Sequence, residues 1–239
     1  MIAYFDCFSG ICGDMILGAL IDLGLKVDDL IQEINKVGLS GYKVTTRRIR
    51  VNGITATDIV IEVEEKQPHR TYLDIVELID ESSLDEKIKE TSKQVFHRLA
   101  LAESKIHRVD INEVHFHEVG AVDSIIDIVG SIIGLEKLGV KEVLSSPLPL
   151  GKGFTRCNHG IIPIPAPATV EILKGVPVYQ TDREQELVTP TGAAIITTVA
   201  KQFIELPMMR IHRVGYGAGK TKSMYPNLLR VFLGEKVSL

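Results

Sequence analysis

Cysteine is scarce in this chain of 239 residues, which contains only Cys7, Cys12 and Cys157. An odd and small number of cysteines argues against a disulfide framework and favours a reducing compartment. The amino terminus, MIAYFDCFSG, lacks the basic segment and the long apolar stretch that define a signal peptide. We therefore expect a cytoplasmic protein.

Long hydrophobic runs and an excess of basic residues are also missing. Aspartate or glycine interrupts the longest apolar stretches well before eighteen residues, so no transmembrane helix is predicted. The formal net charge is −4, and the densest basic segment, TTRRIRVNG, is typical of the solvated face of a strand. These features predict a protein that binds neither membranes nor nucleic acids.

The composition that remains is that of an ordinary globular protein, with 45% hydrophobic and 24% charged residues. Helical periodicity and short β-rich runs alternate without a regular βαβ rhythm, which predicts a mixed α/β (α+β) fold. The dipeptide Asn52-Gly53 separates two alternating runs and predicts a β-hairpin. We expect one compact domain over residues 1–239, with any subdivision near residues 110–120.

The segment VHFHEVGAVDSIIDIVG concentrates candidate metal ligands. His115 and His117 alternate on an extended stretch, so both face the same side, and imidazole suits cations such as Ni²⁺ and Zn²⁺. Glu118 follows directly, and Asp123 and Asp127 share a helix face at i,i+4. The segment is either a metal site or the polar start of an ordinary core helix, where the helix dipole favours an acid.

The segment FDCFSGICGDM connects a predicted strand to a predicted helix, which is the usual place for a ligand site in α/β proteins. Cys7 and Asp14 are polar groups in an apolar setting. Ser9 and Gly10 belong to the tight loop, and the free N–H groups at the start of the helix suit an anion. The alternative is a strand–helix turn with a buried structural cysteine.

Two further motifs combine candidate ligands with glycine or threonine. Cys157 and His159 alternate on an extended segment, so both face one side as candidate metal ligands. Thr189 and Thr191 either contact a ligand or simply cap a helix. The remaining histidines, such as His107, are expected to be ordinary surface or core residues.

The last motif is the glycine-rich segment GYGAGK. Gly217 and Gly219 precede Lys220 in a pattern similar to a phosphate-cradling loop. No helix is predicted directly after it, so the dinucleotide fingerprint is not met.

Several of these segments together resemble one family. The motifs YFDCFSGICGDM, VHFHEVGAVDSIIDIVG, SPLPLGKG, HGIIPIPAPAT, ELVTPTGAA and GYGAGK followed by PNLLRVFLGE are similar, in the same order, to those of the LarC nickel-insertion family. The similarity extends over residues 2–235. Cys12 departs from the family, which usually has a smaller hydroxyl residue there. Some family members have a histidine-rich insert near EKQPHRTY, where this chain has only His69.

The resemblance implies CTP-dependent insertion of nickel into a bis-thiocarboxylated pyridinium mononucleotide, which gives the nickel-pincer cofactor of lactate racemase. It implies one carbon–nickel and two sulfur–nickel bonds, with Mg²⁺ or Mn²⁺ assisting CTP. Family members continue beyond RVFLGE into a CTP-binding region. We therefore expect a second region or partner chain to be required, and a homo-oligomer.

Residue chemistry assigns candidate roles within this hypothesis. The expected nickel ligands are soft or borderline donors, namely Cys7, His115, His117, Glu118, Cys157 and His159. Harder carboxylates suit a divalent ion that bridges phosphates, and these catalytic candidates are Asp14, Asp123 and Asp127. The candidates for cofactor binding are Ser9, Gly10, Thr189, Thr191, Gly217 and Gly219. Two alternatives stay open: a metal-dependent hydrolase and a non-catalytic scaffold for the CTP-binding half.

Overall fold

The structure is a computed structural model that describes residues 1–64, 70–114, 116, 121–157 and 159–237. Its strands are β1 (Ile2–Asp6), β2 (Tyr42–Val51), β3 (Ile54–Val63), β4 (Glu142–Ser145), β5 (Leu148–Leu150), β6 (Phe154–Cys157), β7 (Gly160–Pro163), β8 (Val178–Gln180), β9 (Ala200–Phe203), β10 (Met209–Ala218) and β11 (Leu228–Lys236). Its α-helices are α1 (Gly13–Asp22), α2 (Val27–Ile34), α3 (Tyr72–Glu81), α4 (Glu86–His107), α5 (Val122–Lys137), α6 (Pro167–Ile172) and α7 (Pro190–Val199). The predicted mixed α/β class is confirmed.

Seven strands form the main sheet in the order β2-β3-β10-β11-β1-β4-β9. Strand β1 pairs antiparallel with β11 and parallel with β4. Its side chains alternate, so that Ala3 and Phe5 join the main core while Ile2 and Tyr4 join a smaller cluster. Both faces of β1 are therefore buried, which explains why IAYFD is almost continuously apolar.

Helix α1 lies directly against the sheet because glycine removes the side chains that would separate them. A Cβ atom at Gly18 would lie 2.6 Å from the carbonyl oxygen of Thr57. A Cβ atom at Gly217 would lie only 1.8 Å from the carbonyl oxygen of Met15. Any larger residue at either position would push the helix away and move the loop that precedes it.

Helix α5 packs on α1 and α2 through the small residues Gly130 and Gly134. The sequence predicts that another backbone approaches this side of α5. The structure instead places leucine side chains there: Leu17 lies 3.2 Å from a Cβ built at Gly130, and Leu20 lies 2.9 Å from one at Gly134. Side chains of the neighbouring helices thus fill the space that the glycines leave.

The predicted hairpin is confirmed, since β2 and β3 pair antiparallel along their whole length. Asn52 (φ 49°) and Gly53 (φ 83°) both adopt the left-handed conformation that a two-residue type I′ turn requires. Strand β2 forms one edge of the sheet. Residues of β2 and residues of the loop that follows β10 line the same cavity.

Helix α7 begins as predicted but ends earlier. The Thr189 hydroxyl caps the helix by accepting a hydrogen bond from the Gly192 N–H at 3.1 Å, and Pro190 occupies the first turn. The sequence predicts a helix through TPTGAAIITTVAKQF, but α7 ends at Val199 and the last four residues form β9. Pairing with β4 at the sheet edge outweighs the local helical pattern.

Two small sheets complete the described part of the chain. Strands β5 and β8 pair in parallel, and β6 and β7 form an antiparallel hairpin. Among the described helices, none is both long and apolar enough to cross a membrane.

Candidate functional site

The loop between β1 and α1 is locked against the segment that precedes α7. The Ile11 N–H donates to the Leu187 carbonyl at 2.8 Å, and the Thr189 N–H donates to the Ile11 carbonyl at 3.2 Å. Gly10 adopts φ 104°, and a Cβ there would lie 1.9 Å from the Leu187 oxygen, so only glycine fits. This contact brings the first turns of α1 and α7 together.

Three residues at the start of α1 and on α5 form what we call the buried acidic group: Cys12, Asp14 and Asp127. The Cys12 thiol donates to Oδ1 of Asp14 at 2.7 Å, and the Met15 N–H donates to the same oxygen at 2.8 Å. A Cβ at Gly13 would lie 2.6 Å from Oδ2 of Asp127, so α5 brings this carboxyl directly against the α1 backbone. The other oxygen, Oδ1, is buried and has no hydrogen-bond partner in the described part of the chain.

Burial and neighbouring charge raise the pKa of each member of this group. For Asp127, burial has the largest effect on the pKa, and the charges of Asp14 and Asp123 add to it. For Asp14, burial raises the pKa more than the Cys12 thiol and Lys220 lower it. Burial, followed by the charge of Asp14, also raises the pKa of the Cys12 thiol. The group therefore favours neutral forms unless a cation enters and compensates the charge.

Lys220 connects this group to a second polar cluster. Its ammonium contacts Oδ1 of Asp58 and the Ile59 carbonyl, and lies 3.9 Å from Oδ2 of Asp14. Asp58 is buried on β3 and also accepts a hydrogen bond from Nε of Arg47 at 2.7 Å. One buried carboxylate thus holds two cations in place.

Two cavities of about 420 Å³ each adjoin at Lys220. We call the first the acidic cavity, since its lining includes Cys12, Asp14, Glu184, Glu186 and Thr189. We call the second the basic cavity, since its lining includes Arg47, Arg50, Asp58, Lys222 and Tyr225. Lys220, Thr221 and Asn227 line both, so the two cavities are direct neighbours, and we call them together the cleft.

A third cavity, of about 190 Å³, lies where the end of α4 meets the β6–β7 hairpin. We call it the histidine–cysteine cavity, and its polar lining consists of Glu103, His107, Cys157 and His159. The Cys157 sulfur lies 4.0 Å from Nδ1 of His159, and the rings of His107 and His159 have centroids 4.9 Å apart. Nε2 of His107 is 3.2 Å from a carboxylate oxygen of Glu103.

The structure brings only some of the predicted metal ligands together. Cys157 and His159 share the histidine–cysteine cavity, but not through alternation on one extended segment, because Cys157 ends β6 and His159 lies in the turn before β7. Cys7 is fully buried in the core, where burial raises the pKa of its thiol to about 12 and favours the protonated form. The predictions for three residues lie outside the described part of the chain: His115, His117 and Glu118. Phe116, between the two histidines in sequence, lines the histidine–cysteine cavity.

The predicted cofactor-binding residues have structural partners of their own. The Ser9 hydroxyl accepts a hydrogen bond from Nη1 of Arg183 at 2.5 Å. Gly219 makes room for Asn227, whose side-chain nitrogen would lie 2.6 Å from an added Cβ. Thr191 lies half-buried in the first turn of α7. Binding roles for these residues, and for Gly10, Thr189 and Gly217, stay predictions.

Asp123 differs from the other two predicted carboxylates. It is exposed in the first turn of α5, and its Oδ1 accepts a hydrogen bond from the Ser124 N–H at 2.8 Å. Asp127, one turn later, points instead against Gly13. The two acids are thus i,i+4 neighbours, but only Asp127 belongs to the buried acidic group.

Sequence reasoning missed several residues that the folded chain places at these cavities. His107 was expected to stand alone, yet it lies beside His159. Arg47 and Arg50 are exposed on β2, as the solvated face of a strand predicts, and both also line the basic cavity. The basic segment RRIR was the only signal in the sequence for the basic cavity. Its contact with the loop after β10 could not be predicted, because that contact depends on the pairing of distant strands.

The described residues contain no group of three or more histidine, cysteine or acidic side chains arranged to hold a metal ion. Pairs of donors do converge, both in the buried acidic group and in the histidine–cysteine cavity. The described residues therefore offer partial coordination.

Comparison with known proteins identifies the family. The sequence model of the nickel insertion protein family matches residues 3–239. A protein of Dictyoglomus thermophilum that is also named for nickel insertion is 56% identical over 234 residues, covering 98% of this chain and 61% of that protein. No solved structure matches this chain. The chain belongs to the nickel insertion protein family.

Two further relatives carry more specific names. The pyridinium-3,5-bisthiocarboxylic acid mononucleotide nickel insertion protein of Desulfitobacterium hafniense is 49% identical over 98% of this chain and 58% of its own length. The protein of that name from Geobacillus kaustophilus is 45% identical over 100% of this chain and 61% of its own. The chain thus spans about three fifths of the length of the curated relatives that it matches.

Proposed function

We propose that this protein inserts nickel into a pyridinium-3,5-bisthiocarboxylic acid mononucleotide, which gives the nickel-pincer cofactor of lactate racemase. Family membership and the names of the relatives support this substrate. The structural observation that carries the proposal is the histidine–cysteine cavity. Cys157, His159 and His107 offer a thiol and two imidazoles, which are ligand types that bind nickel and related metals.

Partial coordination suits a protein that delivers a metal. A closed set of four protein ligands holds an ion as part of the structure, whereas an ion with open positions can exchange ligands. The two thiocarboxylate sulfurs of the proposed substrate are soft donors that would take over positions around nickel. We infer that Cys157 and His159 bind nickel loosely and pass it to these sulfurs.

We also propose that the reaction depends on CTP and on a CTP-binding region that lies outside this chain's described residues or on a separate chain. The resemblance stated above implies both. The divalent ion that accompanies CTP, Mg²⁺ or Mn²⁺, would be held by Asp14 and Asp127. These residues fit such an ion, because Oδ1 of Asp127 is buried without a partner and Mg²⁺ binds through one or two carboxylates together with phosphate oxygens. When bound, the ion neutralises phosphate charge.

The hydrolase alternative has less support than nickel insertion. A catalytic zinc site needs about three converging protein ligands and an open position. The described residues contain no such group. Family membership favours nickel insertion instead.

A reconstitution experiment tests the proposed function. The protein is mixed with the CTP-binding region of a relative, the thiolated mononucleotide, Ni²⁺, Mg²⁺ and CTP, and the nickel-loaded product is measured by mass spectrometry. We expect product only when nickel, CTP and both protein parts are present. The double variant Cys157→Ala/His159→Ala should slow product formation at limiting nickel, whereas His212→Ala, an exposed histidine on β10, should match the wild type.

Three results would contradict the proposal. Equal rates for the double variant and the wild type at limiting nickel would remove the role of the histidine–cysteine cavity. Product formation by the CTP-binding region alone would show that this chain is not needed for nickel insertion. Phosphoester hydrolysis by this chain, without nickel transfer, would make it a hydrolase.

A further inference from the structure

The described lining of the basic cavity contains more cationic side chains than carboxylates. Its lining carries four cationic side chains and one carboxylate, that of Asp58. Arg47 and Lys220 both pair with Asp58. Arg50 and Lys222 form no ion pair with any acid in the described part of the chain. Two exposed cations therefore line this cavity without a paired acid, which favours an anionic ligand there.

The walls of this cavity are fixed rather than loosely arranged. The Asn52 side chain donates to the Met224 carbonyl at 2.9 Å, which ties the loop after β10 to the hairpin turn. The Asn227 side chain donates to the Thr221 carbonyl at 3.0 Å and closes the loop on itself. The loop thus holds Lys220 and Lys222 opposite β2. Such a preorganised set of donors lowers the entropic cost of binding.

The size and position of the cavity favour a small phosphorylated molecule. A volume of about 420 Å³ is in the range of small-molecule sites, and a pocket of this size differs from the extended basic surface that binds nucleic acid. Lys220 separates this cavity from the acidic cavity, whose carboxylates repel a second anion and attract a cation. An anion therefore has one favourable location in the cleft.

We infer that the basic cavity binds the phosphate of a mononucleotide through Arg50, Lys222 and Lys220, and that the rest of the ligand extends past Lys220 towards Cys12 and Asp14. This inference rests on the proposed function for the identity of the mononucleotide. Lys220 then acts as the boundary between the phosphate and the metal-attracting side of the cleft. Its contact with Asp58 and its approach to Asp14 keep the two sides apart.

Binding of nicotinamide mononucleotide tests this inference. This probe has a pyridinium ring, a ribose and one phosphate but no sulfur, so it accepts no nickel. Its binding therefore succeeds or fails independently of nickel transfer. We expect isothermal titration calorimetry to show binding that weakens about tenfold in Arg50→Gln and in Lys222→Gln, each of which removes one charge contact.

A matched control uses the same strand. Lys43 is exposed on β2 but does not line the cavity, so Lys43→Gln should bind the probe as the wild type does. Nicotinamide riboside, which lacks the phosphate, should bind at least tenfold more weakly than the mononucleotide. Raising the salt concentration should weaken binding of the mononucleotide and leave that of the riboside nearly unchanged.

Several outcomes would overturn the inference. Equal binding of the mononucleotide and the riboside would show that phosphate is not recognised. Unchanged binding in both Arg50→Gln and Lys222→Gln would place the ligand elsewhere. Tighter binding of CTP, with displacement of the mononucleotide and the same dependence on Arg50, would assign the cavity to a triphosphate instead.

Discussion

The buried acidic group and the histidine–cysteine cavity both contain a half-buried cysteine beside a second donor, but they differ in how closely the two donors are bonded and in the second donor itself. The Cys12 thiol donates a hydrogen bond to Asp14 at 2.7 Å, and burial raises the pKa values of both groups. Cys157 lies 4.0 Å from His159, next to an exposed imidazole. The first pair is joined by a short hydrogen bond at the start of α1 and lines the acidic cavity. The second pair has no such close bond and lines the histidine–cysteine cavity at the end of the β6–β7 hairpin.

This difference separates two tasks that metal insertion requires. An open site with thiol and imidazole donors can collect a borderline cation and release it again. Burial keeps the acids of the buried acidic group neutral until a cation enters. The carboxylates then ionise and hold the cation strongly. We therefore expect changes at the buried acidic group to affect turnover and stability, and changes at the histidine–cysteine cavity to affect nickel affinity.

The largest effect is expected from Asp14→Asn. This change keeps the shape of the side chain but removes the charge that would hold a divalent ion, so the turnover of nickel insertion should fall about 100-fold. Nickel affinity at the histidine–cysteine cavity should stay the same. The reconstituted assay measures the first and calorimetry the second, with Asp28→Asn, an exposed acid of α2, as the control. A parallel loss of nickel affinity would remove the distinction between the two regions.

Gly13→Ala should break the contact between α1 and α5. The new methyl group would lie 2.6 Å from Oδ2 of Asp127, and overpacking of this kind costs about 2 kcal/mol. Urea unfolding measures the loss. The double variant Gly13→Ala/Asp127→Ala makes room for the methyl group and should recover most of the stability. Failure of the second change to compensate would mean that the strain arises elsewhere.

His107→Ala should weaken nickel binding by about fivefold to tenfold, since it removes one of two neighbouring imidazoles from the histidine–cysteine cavity. Turnover at saturating nickel should hardly change. Calorimetric titration with Ni²⁺ tests this, and His212→Ala again serves as the control. If both variants bind nickel alike, His107 has no role in nickel binding.

The smallest effect is expected from Asp127→Asn, which should stabilise the metal-free fold by about 1 kcal/mol at pH 8. Burial and Asp14 raise the folded-state pKa of Asp127 above its ordinary value of 3.8. The native protein therefore loses stability as the pH rises from 3.8 towards the folded pKa, and asparagine does not share this loss. The gain should be smaller at pH 5 than at pH 8. Urea unfolding with EDTA present measures this gain in the free energy of unfolding. An equal gain at pH 5 and pH 8 would contradict the raised pKa of Asp127.

Local patterns in the sequence predict most of the individual elements. The Asn52-Gly53 turn, the Thr189 cap and the buried strand IAYFD each depend on neighbours within a few residues, and the structure confirms all three. The prediction for AKQF was wrong, because this segment continues the helical pattern of α7 and only its pairing with β4 makes it strand β9.

The site is less predictable because it depends on contacts between distant segments. Parallel pairing at a single position, Thr57 with Gly217, brings the hairpin and its basic strand beside the loop that carries Lys220. No local pattern in either segment indicates this meeting. In the same way, the proximity of His107 and His159 follows from how the end of α4 meets the β6–β7 hairpin. The proximity of Cys157 and His159, by contrast, is local, because both lie where β6 turns into β7.

The central position of β1 has a consequence for synthesis on the ribosome. Ile2 pairs with Gly234, so β1 lies beside β11, which is synthesised long after it. Until residues 228–236 have left the exit tunnel, the edge of β1 that belongs to β11 stays unpaired, with Phe5 beside it. An unpaired apolar strand edge is a site where nascent chains associate wrongly and where chaperones act. We expect ribosome-bound chains that stop before residue 228 to be held by chaperones and to remain sensitive to protease.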